Sequence, residues 1–252
     1  MNRFEGRRVL VTGAGSGIGR ATVLRLLDEG AAVVAADVSD TGLEETSTLG
    51  GRADRLHTQL IDVSDESAVC KGVAAAVSAL GGGLDVLVNA AGILRSARTE
   101  KMSLDFWNSV LAVNLTGTFL TTREALPALL ASDGGVVVNF SSTSASFAHP
   151  YMAAYAATKG GIQSFTHAIA SEYARRGLRA VCVAPGSIAS GMTTNPGLPA
   201  DADMSLFVKL APALTEGFAD PSAVAGVVAM LASDDGAFIT GTELRIDGGT
   251  HM

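Results

Sequence analysis

The chain has 252 residues, of which 48% are hydrophobic and 17% charged, enough apolar material for one large α/β domain or two small ones and too much for a disordered tail. With 25 acidic against 18 basic residues the net charge is -7. No basic run is present to neutralise phosphates, so no nucleic-acid partner is expected.

Apolar stretches are interrupted well before the ~20 residues that a bilayer span needs, so no membrane partner is expected. The apolar run from Val9 to Gly13 is too short for the core of a secretory signal, which predicts a cytoplasmic location. Cys70 and Cys182 lie far apart, with no histidine nearby at metal-ligand spacing. We therefore predict neither a disulfide nor a metal site.

Short β-branched runs alternate with Ala- and Leu-rich segments whose apolar residues lie three and four apart, which is typical of parallel strands connected by helices. Most runs are apolar throughout, as expected for strands covered by helices on both faces. The pattern predicts an α/β fold with a parallel seven-stranded sheet. Its strands are Arg8–Thr12, Ala32–Asp37, Leu56–Asp62, Leu84–Asn89, Gly135–Ser141, Leu178–Ala184 and Leu244–Asp247.

Helices are predicted between these strands, two of them after the capping residues Asp65 and Asp220. They are Gly17–Glu29, Thr41–Leu49, Glu66–Leu80, Ser103–Leu130 with a break near Asn114, Met152–Arg175 and Pro221–Leu231. No linker or internal repeat divides the chain, so residues 1–252 are predicted to form a single domain. Residues 187–218 contain three prolines and are interpreted as a long insertion, the lid segment, whose apolar residues either line a substrate pocket or pack on the core.

A glycine-rich loop, Thr12 to Gly19, follows the first strand and opens into a helix. Glycines allow the backbone to approach a pyrophosphate, and the free amides at a helix N-terminus attract an anion. The spacing is GxxxGxG, from Gly13, Gly17 and Gly19, and differs from the usual GxGxxG. The lysine of a P-loop is absent, so the loop favours a dinucleotide over simple ATP binding.

Asp37 ends the second strand, where a carboxylate can accept hydrogen bonds from the adenosine ribose diol. The same carboxylate repels a 2′-phosphate, and Ser16, Ala36 and Val38 supply no compensating cation. NAD is therefore predicted in preference to NADP. The alternative is that Asp37 only caps the turn after the strand.

Tyr155 and Lys159 are four residues apart in a predicted helix, and Ser142 ends the strand before it. At that separation both side chains lie on one helix face, where an ammonium can favour the ionised form of a phenol. A free tyrosine titrates near ~10, too high for acid–base work at neutral pH without such help. On its own the spacing also fits an ordinary helix with a solvated lysine.

Taken together, these residues resemble the short-chain dehydrogenase/reductase family over nearly the whole chain. Two positions depart from the family motifs: Ala90 replaces the second Asn of NNAG, and Ser190 replaces the Thr of PGxIxT, keeping a hydroxyl. The matching motifs are Thr12–Gly19, Asp37, Asp62-Val63, Asn89-Ala90-Ala91-Gly92, Asn114, Ser142, Tyr155 with Lys159, and Pro185-Gly186.

The resemblance implies a doubly wound Rossmann-type domain that binds NAD and assembles as a homotetramer. It implies that Tyr155 is the acid/base, that Lys159 lowers its pKa and binds the nicotinamide ribose, and that Ser142 holds the substrate oxygen. Asn114 is implied to bind a water that links Lys159 to solvent. The implied cofactor-binding residues are Gly13, Ser16, Gly17, Ile18, Gly19, Asp37, Asp62, Val63, Asn89, Gly92, Tyr155, Lys159, Pro185, Ile188 and Ser190.

The expected function is NAD-dependent interconversion of a secondary alcohol and a ketone on a small-molecule substrate. Two alternatives stay open: an NADPH-dependent 3-oxoacyl carrier-protein reductase, and a non-catalytic NAD-sensing scaffold on the same fold. Asp37 argues against the first, and the intact Ser142, Tyr155 and Lys159 argue against the second. His149 adjoins Pro150 in a loop and is interpreted as a loop residue, not as an acid–base group.

Overall fold

The computed structural model describes residues 2–252, with every side chain among them except that of Lys209. Seven parallel strands form one sheet in the order β3-β2-β1-β4-β5-β6-β7. The order reverses between β1 and β4, and the carboxyl ends of the strands at such a reversal border a ligand crevice. The strands are β1 Arg8–Thr12, β2 Ala32–Asp37, β3 Leu56–Leu60, β4 Val86–Asn89, β5 Val136–Phe140, β6 Arg179–Pro185 and β7 Glu243–Ile246.

Helices cover both faces of the sheet. They are α1 Gly17–Asp28, α2 Asp40–Gly50, α3 Glu66–Ala79, α4 Leu104–Leu111, α5 Gly117–Ala131, α6 Ala153–Tyr173, α7 Gly191–Thr194 and α8 Ser222–Ala232. Alternate residues of β1 face the two helix layers. Val9 and Val11 pack with α1 and α8, whereas Leu10 packs with α3, α5 and α6. The apolar strands are therefore buried on both sides, as the sequence predicted.

The predicted seven-stranded parallel α/β fold is confirmed, and the differences lie at element ends. Strand β3 ends at Leu60 instead of Asp62, and β4 begins at Val86 instead of Leu84. The helix predicted over Ser103–Leu130 is divided near Asn114 by one π-helical turn, Ala112–Thr116. No helix in residues 2–252 is long and apolar enough to cross a membrane.

The lid segment lies between β6 and α8 and contains α7 and a 3₁₀ turn, Met204–Leu210. Its two ends meet, because Ile188 pairs in parallel with Ala219. Its middle is tied to the C-terminal residues by hydrogen bonds from the amides of Ala213 and Leu214 to the carbonyl of Gly248. The segment is therefore a closed loop placed beside the carboxyl edge of the sheet.

Candidate active site

The glycine-rich loop approaches the neighbouring strand so closely that a side chain does not fit. Gly13 has a φ of +67°, and a Cβ there would lie 2.6 Å from the amide nitrogen of Ala91. Gly17 opens α1 with a φ of +51°, and a Cβ there would lie 3.3 Å from the Cβ of Ser190 across the cleft. Ser16 is the N-cap of α1, yet its side chain makes no capping hydrogen bond. The loop leaves amides and a hydroxyl free to meet an anion.

Asp37 lies beside this loop at the end of β2. Its Oδ2 accepts a hydrogen bond from the Gly15 amide at 2.8 Å and its Oδ1 one from the Ser39 amide at 2.9 Å. Two backbone donors thus hold the carboxylate at the wall of the cleft. The guanidinium of Arg20 pairs with Glu45 at 2.7 Å and is not among the residues that line the cleft.

Most of the predicted cofactor-binding residues line one continuous cleft that runs from Asp37 to Tyr155. They are Gly13, Ser16, Gly17, Ile18, Gly19, Asp37, Val63, Gly92, Tyr155, Lys159, Pro185, Ile188 and Ser190. Because these residues lie at or after the ends of β1, β2, β3, β4 and β6 or lie on α6, the strand ends account for their convergence.

Two predicted residues are not among those that line the cleft. The Asp62 carboxylate is exposed and accepts hydrogen bonds from the amide and hydroxyl of Ser64. The buried Asn89 side chain bonds to Thr121, Thr122 and Asn139, and so connects β4 with α5 and β5. The structure therefore shows Asp62 in a turn and Asn89 in the core between strand and helix.

The catalytic candidates converge where β5 and α6 meet the cleft. Ser142 follows β5 and accepts a hydrogen bond from the Ser144 amide, which leaves its proton available. Tyr155 lies in the first turns of α6, within hydrogen-bonding reach of Ser142. One turn later, the buried Nζ of Lys159 donates to the carbonyl of Phe140 at 2.8 Å and lies 5.5 Å from the centre of the Tyr155 ring.

Burial governs the ionisation of both groups. It raises the pKa of the Tyr155 phenol above its ordinary 10.0, and the hydrogen bond from Ser142 opposes that rise. Burial lowers the pKa of Lys159 from 10.5 to about 8. The sequence predicted that the ammonium makes the phenol more acidic. In this structure the hydrogen bond of Nζ goes to the Phe140 carbonyl, and the lowering of the phenol's pKa by the ammonium stays a prediction.

Asn114 lies fully buried in the π-helical turn. Its Oδ1 accepts from the Ile93 amide at 2.8 Å, and its Nδ2 donates to the Ile93 carbonyl at 3.0 Å and to Thr158 Oγ1 at 3.2 Å. The side chain thus holds the loop after β4 against α6, beside Lys159.

A second cavity, of about 530 Å³, opens on the other side of Ser142 and Tyr155. The lid segment supplies much of its wall, including Met192, Leu198 and Phe207. No charged side chain is among its described lining residues. The sequence left open whether the apolar residues of the lid segment line a pocket or pack on the core. In the structure, several of them line this pocket. His149, interpreted from sequence as a loop residue in the stretch between Ser142 and Tyr155, also lines this pocket.

Known proteins of similar sequence and structure share this architecture. The short chain dehydrogenase family profile covers residues 7–198. A 3-oxoacyl-[acyl-carrier-protein] reductase of Thermotoga maritima is 38% identical, covering 98% of each chain. A D-threitol dehydrogenase of Mycolicibacterium smegmatis is 38% identical over 98% of this chain and 94% of the relative. The crystal structure of a dehydrogenase/reductase from Sinorhizobium meliloti 1021 aligns with a TM-score of 0.89 at 33% identity, over 100% of this chain and 98% of the other.

The chain belongs to the short-chain dehydrogenase family. It is accordingly an oxidoreductase of CH–OH groups or the corresponding carbonyls, like the relatives it matches.

Proposed function

We propose that this protein is an NAD-dependent oxidoreductase that interconverts a secondary alcohol and a ketone, with Tyr155 as the acid/base. One observation carries the proposal: Ser142 and Tyr155 line both the glycine-loop cleft and the apolar pocket. A substrate in the pocket and a dinucleotide in the cleft therefore meet at those two hydroxyl groups. A scaffold without chemistry has no need of this junction.

The cleft fits a nicotinamide dinucleotide. The tight approach at Gly13 and Gly17 and the uncapped N-terminus of α1 suit a pyrophosphate, and the Asp37 carboxylate suits a ribose diol. Ile188 and Ser190 line the same cleft, Ser190 across from Gly17, together with Tyr155 and Lys159. When bound, the cofactor supplies the hydride acceptor or donor.

The residues of the chain supply proton transfer and orientation. Ser142 donates to the substrate oxygen and holds it beside the Tyr155 phenol, a positioning role. Tyr155 takes the alcohol proton in oxidation and returns it in reduction. Burial raises the pKa of the phenol and so favours its protonated form, which is the acid for ketone reduction, whereas the ionised form is the base for alcohol oxidation. Lys159 binds the nicotinamide ribose. The water proposed at Asn114 bonds to its backbone carbonyl, since the side-chain amide is engaged with Ile93 and Thr158.

The pocket favours a neutral, largely apolar substrate, because no charged group is among its described lining residues. One relative acts on a polyol and another on an acyl-carrier-protein substrate by name, so a 3-oxoacyl reductase is the second candidate. The coenzyme separates them, since Asp37 opposes the 2′-phosphate of NADPH. We further propose that the chain acts as a homotetramer in the cytoplasm, where Cys70 and Cys182 stay as free thiols.

Tyr155→Phe tests the acid/base assignment. Because only the proton-transferring oxygen is removed, kcat should fall by about 10²- to 10⁴-fold while NADH binding is kept. The measurement is absorbance at 340 nm over a panel of steroid, sugar, terpene and acyl alcohols, with NADH binding followed by fluorescence. Tyr173→Phe, at the end of the same helix, is the matched control and should keep full activity. Undiminished turnover by the Tyr155 variant contradicts the assignment.

Asp37→Ala tests coenzyme choice. Loss of charge-assisted hydrogen bonds to the ribose should lower the NAD-over-NADP ratio of kcat/KM by roughly ten- to a hundredfold. Asp40→Ala makes the same change in charge three residues later, at an exposed position, and should leave the ratio unchanged. A wild-type enzyme that prefers NADP in steady-state kinetics refutes the electrostatic argument and favours the 3-oxoacyl reductase.

A further inference from the structure

His149 is the side chain in the apolar pocket for which the proposed chemistry has no use. It lines the pocket together with Thr143, which directly follows Ser142 in the chain. The remaining hydroxyls at the pocket wall are engaged elsewhere: Ser187 donates to the Leu210 carbonyl, and Thr193 to the Ile188 or Ser190 carbonyl. Among the polar groups at the pocket wall, Thr143 is the one that directly follows Ser142 in the chain, and His149 is its hydrogen-bond partner.

The ring of His149 is held in one orientation. Its Nδ1 lies 3.2 Å from the Phe147 carbonyl, and its Nε2 lies 3.3 Å from Thr143 Oγ1. The ring of His251 lies 5.7 Å from it, and is itself stacked on Phe147 at 4.0 Å. The loop and the C-terminal residues thus fix which edge of the imidazole faces the pocket.

These contacts determine which ring nitrogen of His149 carries the proton. Burial lowers the pKa of His149 from 6.5, so the imidazole is neutral at pH 7. A carbonyl only accepts hydrogen bonds, so the single proton lies on Nδ1 and is donated to Phe147. Nε2 then carries a lone pair and accepts the proton of Thr143, whose own oxygen keeps free lone pairs. The acceptor beside Ser142 that is left for a substrate is therefore Thr143 Oγ1, whose own proton is directed to His149.

We propose that His149, acting with Thr143, selects alcohols that carry a second hydroxyl close to the reacting carbinol on an otherwise apolar skeleton. The inference rests on the proposed alcohol oxidation and narrows its substrate class. A second hydroxyl donates to this acceptor, whereas an ether oxygen at the same place has no proton to give and faces lone pairs. Ser142 and Thr143 both line the pocket, so the second hydroxyl of the substrate lies in the same pocket as the reacting oxygen, and a 1,2-diol is the shortest probe of that arrangement.

The test uses wild-type enzyme with saturating NAD and three probes: trans-cyclohexane-1,2-diol, trans-2-methoxycyclohexanol and cyclohexanol. The diol and its methyl ether differ in the second donor, so their ratio of kcat/KM isolates that hydrogen bond. One neutral hydrogen bond predicts a preference of about tenfold for the diol in the wild type. His149→Leu should bring the ratio to about one, whatever happens to either constant alone.

Two further variants distinguish a loss of the hydrogen bond from a folding defect. His149→Gln keeps an acceptor oxygen and should retain part of the preference, and Thr143→Val keeps the shape of its side chain without the hydroxyl and should lower it. His57→Leu replaces an exposed histidine on β3 and should keep the wild-type ratio. NADH binding and melting temperature confirm that each variant is folded.

The outcomes distinguish a failure of the selection by His149 from a failure of the proposed function. Turnover of all three probes with equal kcat/KM, or a diol preference that survives in the His149 and Thr143 variants, overturns the selection by His149 and leaves alcohol oxidation standing. Absence of turnover with every probe and every alcohol of the wider panel, with NAD or NADP, overturns the proposed function and the inference with it.

Discussion

Lys159 is a charged residue at a buried position, where burial disfavours its protonated form. The ammonium is buried, and the partner that the structure shows for it is one backbone carbonyl, that of Phe140. Burial lowers the pKa of Lys159 and the Cys182 thiol opposes that fall, but no carboxylate contributes to the shift. A cation in such a place destabilises the folded chain, and we interpret it as retained for the ribose and proton transfer beside Tyr155.

Replacing Lys159 with methionine should therefore stabilise the fold while removing activity. The drop in pKa from 10.5 to about 8 corresponds to about 3 kcal/mol. Below pH 8 both folded and unfolded wild type hold the proton, and the penalty is present in full. Between pH 8 and 10.5 the unfolded state holds more protons than the folded one, so the unfolding free energy of the wild type rises with pH. The advantage of Lys159→Met should shrink over that window.

Urea unfolding at pH 7 and pH 10 measures this difference. Lys71→Met removes an exposed amine on α3 and should show no comparable pH-dependent gain. A Lys159 variant that is less stable than wild type at pH 7, or whose advantage does not change with pH, contradicts the burial argument.

Some residues of the site could be predicted from sequence and others could not. Gly13 and Asp37 follow from position alone, because the end of a buried strand is where a loop and a carboxylate meet a dinucleotide. The four-residue spacing of Tyr155 and Lys159 placed them on one helix face, but spacing does not reveal which acceptor a flexible lysine reaches. The partners of the Asn89 side chain could not be predicted for a similar reason, because they lie on α5 and β5, far away in sequence.

At the scale of elements, Tyr151 links the loops around the pocket. Its φ of +66° is unusual for a residue with a side chain and costs about 1 kcal/mol or more. Its ring stacks on Phe207 of the lid segment at 6.1 Å, and its hydroxyl accepts from the Asp203 amide at 2.9 Å. Its carbonyl accepts from the Ala97 amide of the loop after β4. One strained residue thus connects the active-site loop with both neighbouring segments.

Tyr151→Ala should loosen the lid segment without touching the chemistry. Loss of an aromatic pair and a hydrogen bond, about 1 to 2 kcal/mol together, should raise KM for an apolar alcohol by about tenfold, with kcat and NADH affinity kept. Tyr151→Phe keeps the ring and loses the hydroxyl alone, so its effect should be smaller. Steady-state kinetics and limited proteolysis within residues 195–218 measure both. A fall in kcat with unchanged KM contradicts a positioning role.

The elements that could be predicted best from the sequence are the buried ones. Most of the strands could be found because parallel strands covered on both faces are apolar throughout, and their apolar runs are bounded by polar residues. The edge strands β3 and β7 carry polar residues and are only partly buried. The break near Asn114 was predicted, but the π-helical turn that makes it was not, since it depends on the bonds of Asn114 to Ile93 and Thr158. The path of the lid segment was also beyond sequence reasoning, because its anchors are Ala219 and Gly248, at or beyond its end.

At the scale of the whole molecule, a single chain leaves large apolar side chains exposed. Phe119 on α5 is 42% exposed, meets Phe165 of α6 edge-to-face at 6.3 Å, and lies under Arg123 at 5.5 Å. Phe238, between α8 and β7, is fully exposed. Exposed large apolar side chains of this kind occur on surfaces that are covered in an assembly. They support the proposed homotetramer.

Light scattering after size-exclusion chromatography tests that assembly. Four chains of 25.6 kDa give an expected mass of about 102 kDa. Phe119→Asp places a charge in the patch on α5, so burying the patch becomes costly and the mass should fall to that of a smaller species. Leu49→Asp is the matched control, since Leu49 is also exposed, at 62%, but lies on α2, which packs beside β3 at the other side of the sheet. The control should keep the wild-type mass. A wild-type chain that elutes at 25.6 kDa, or a Phe119 variant that keeps the larger mass, contradicts the assignment of this face to the tetramer.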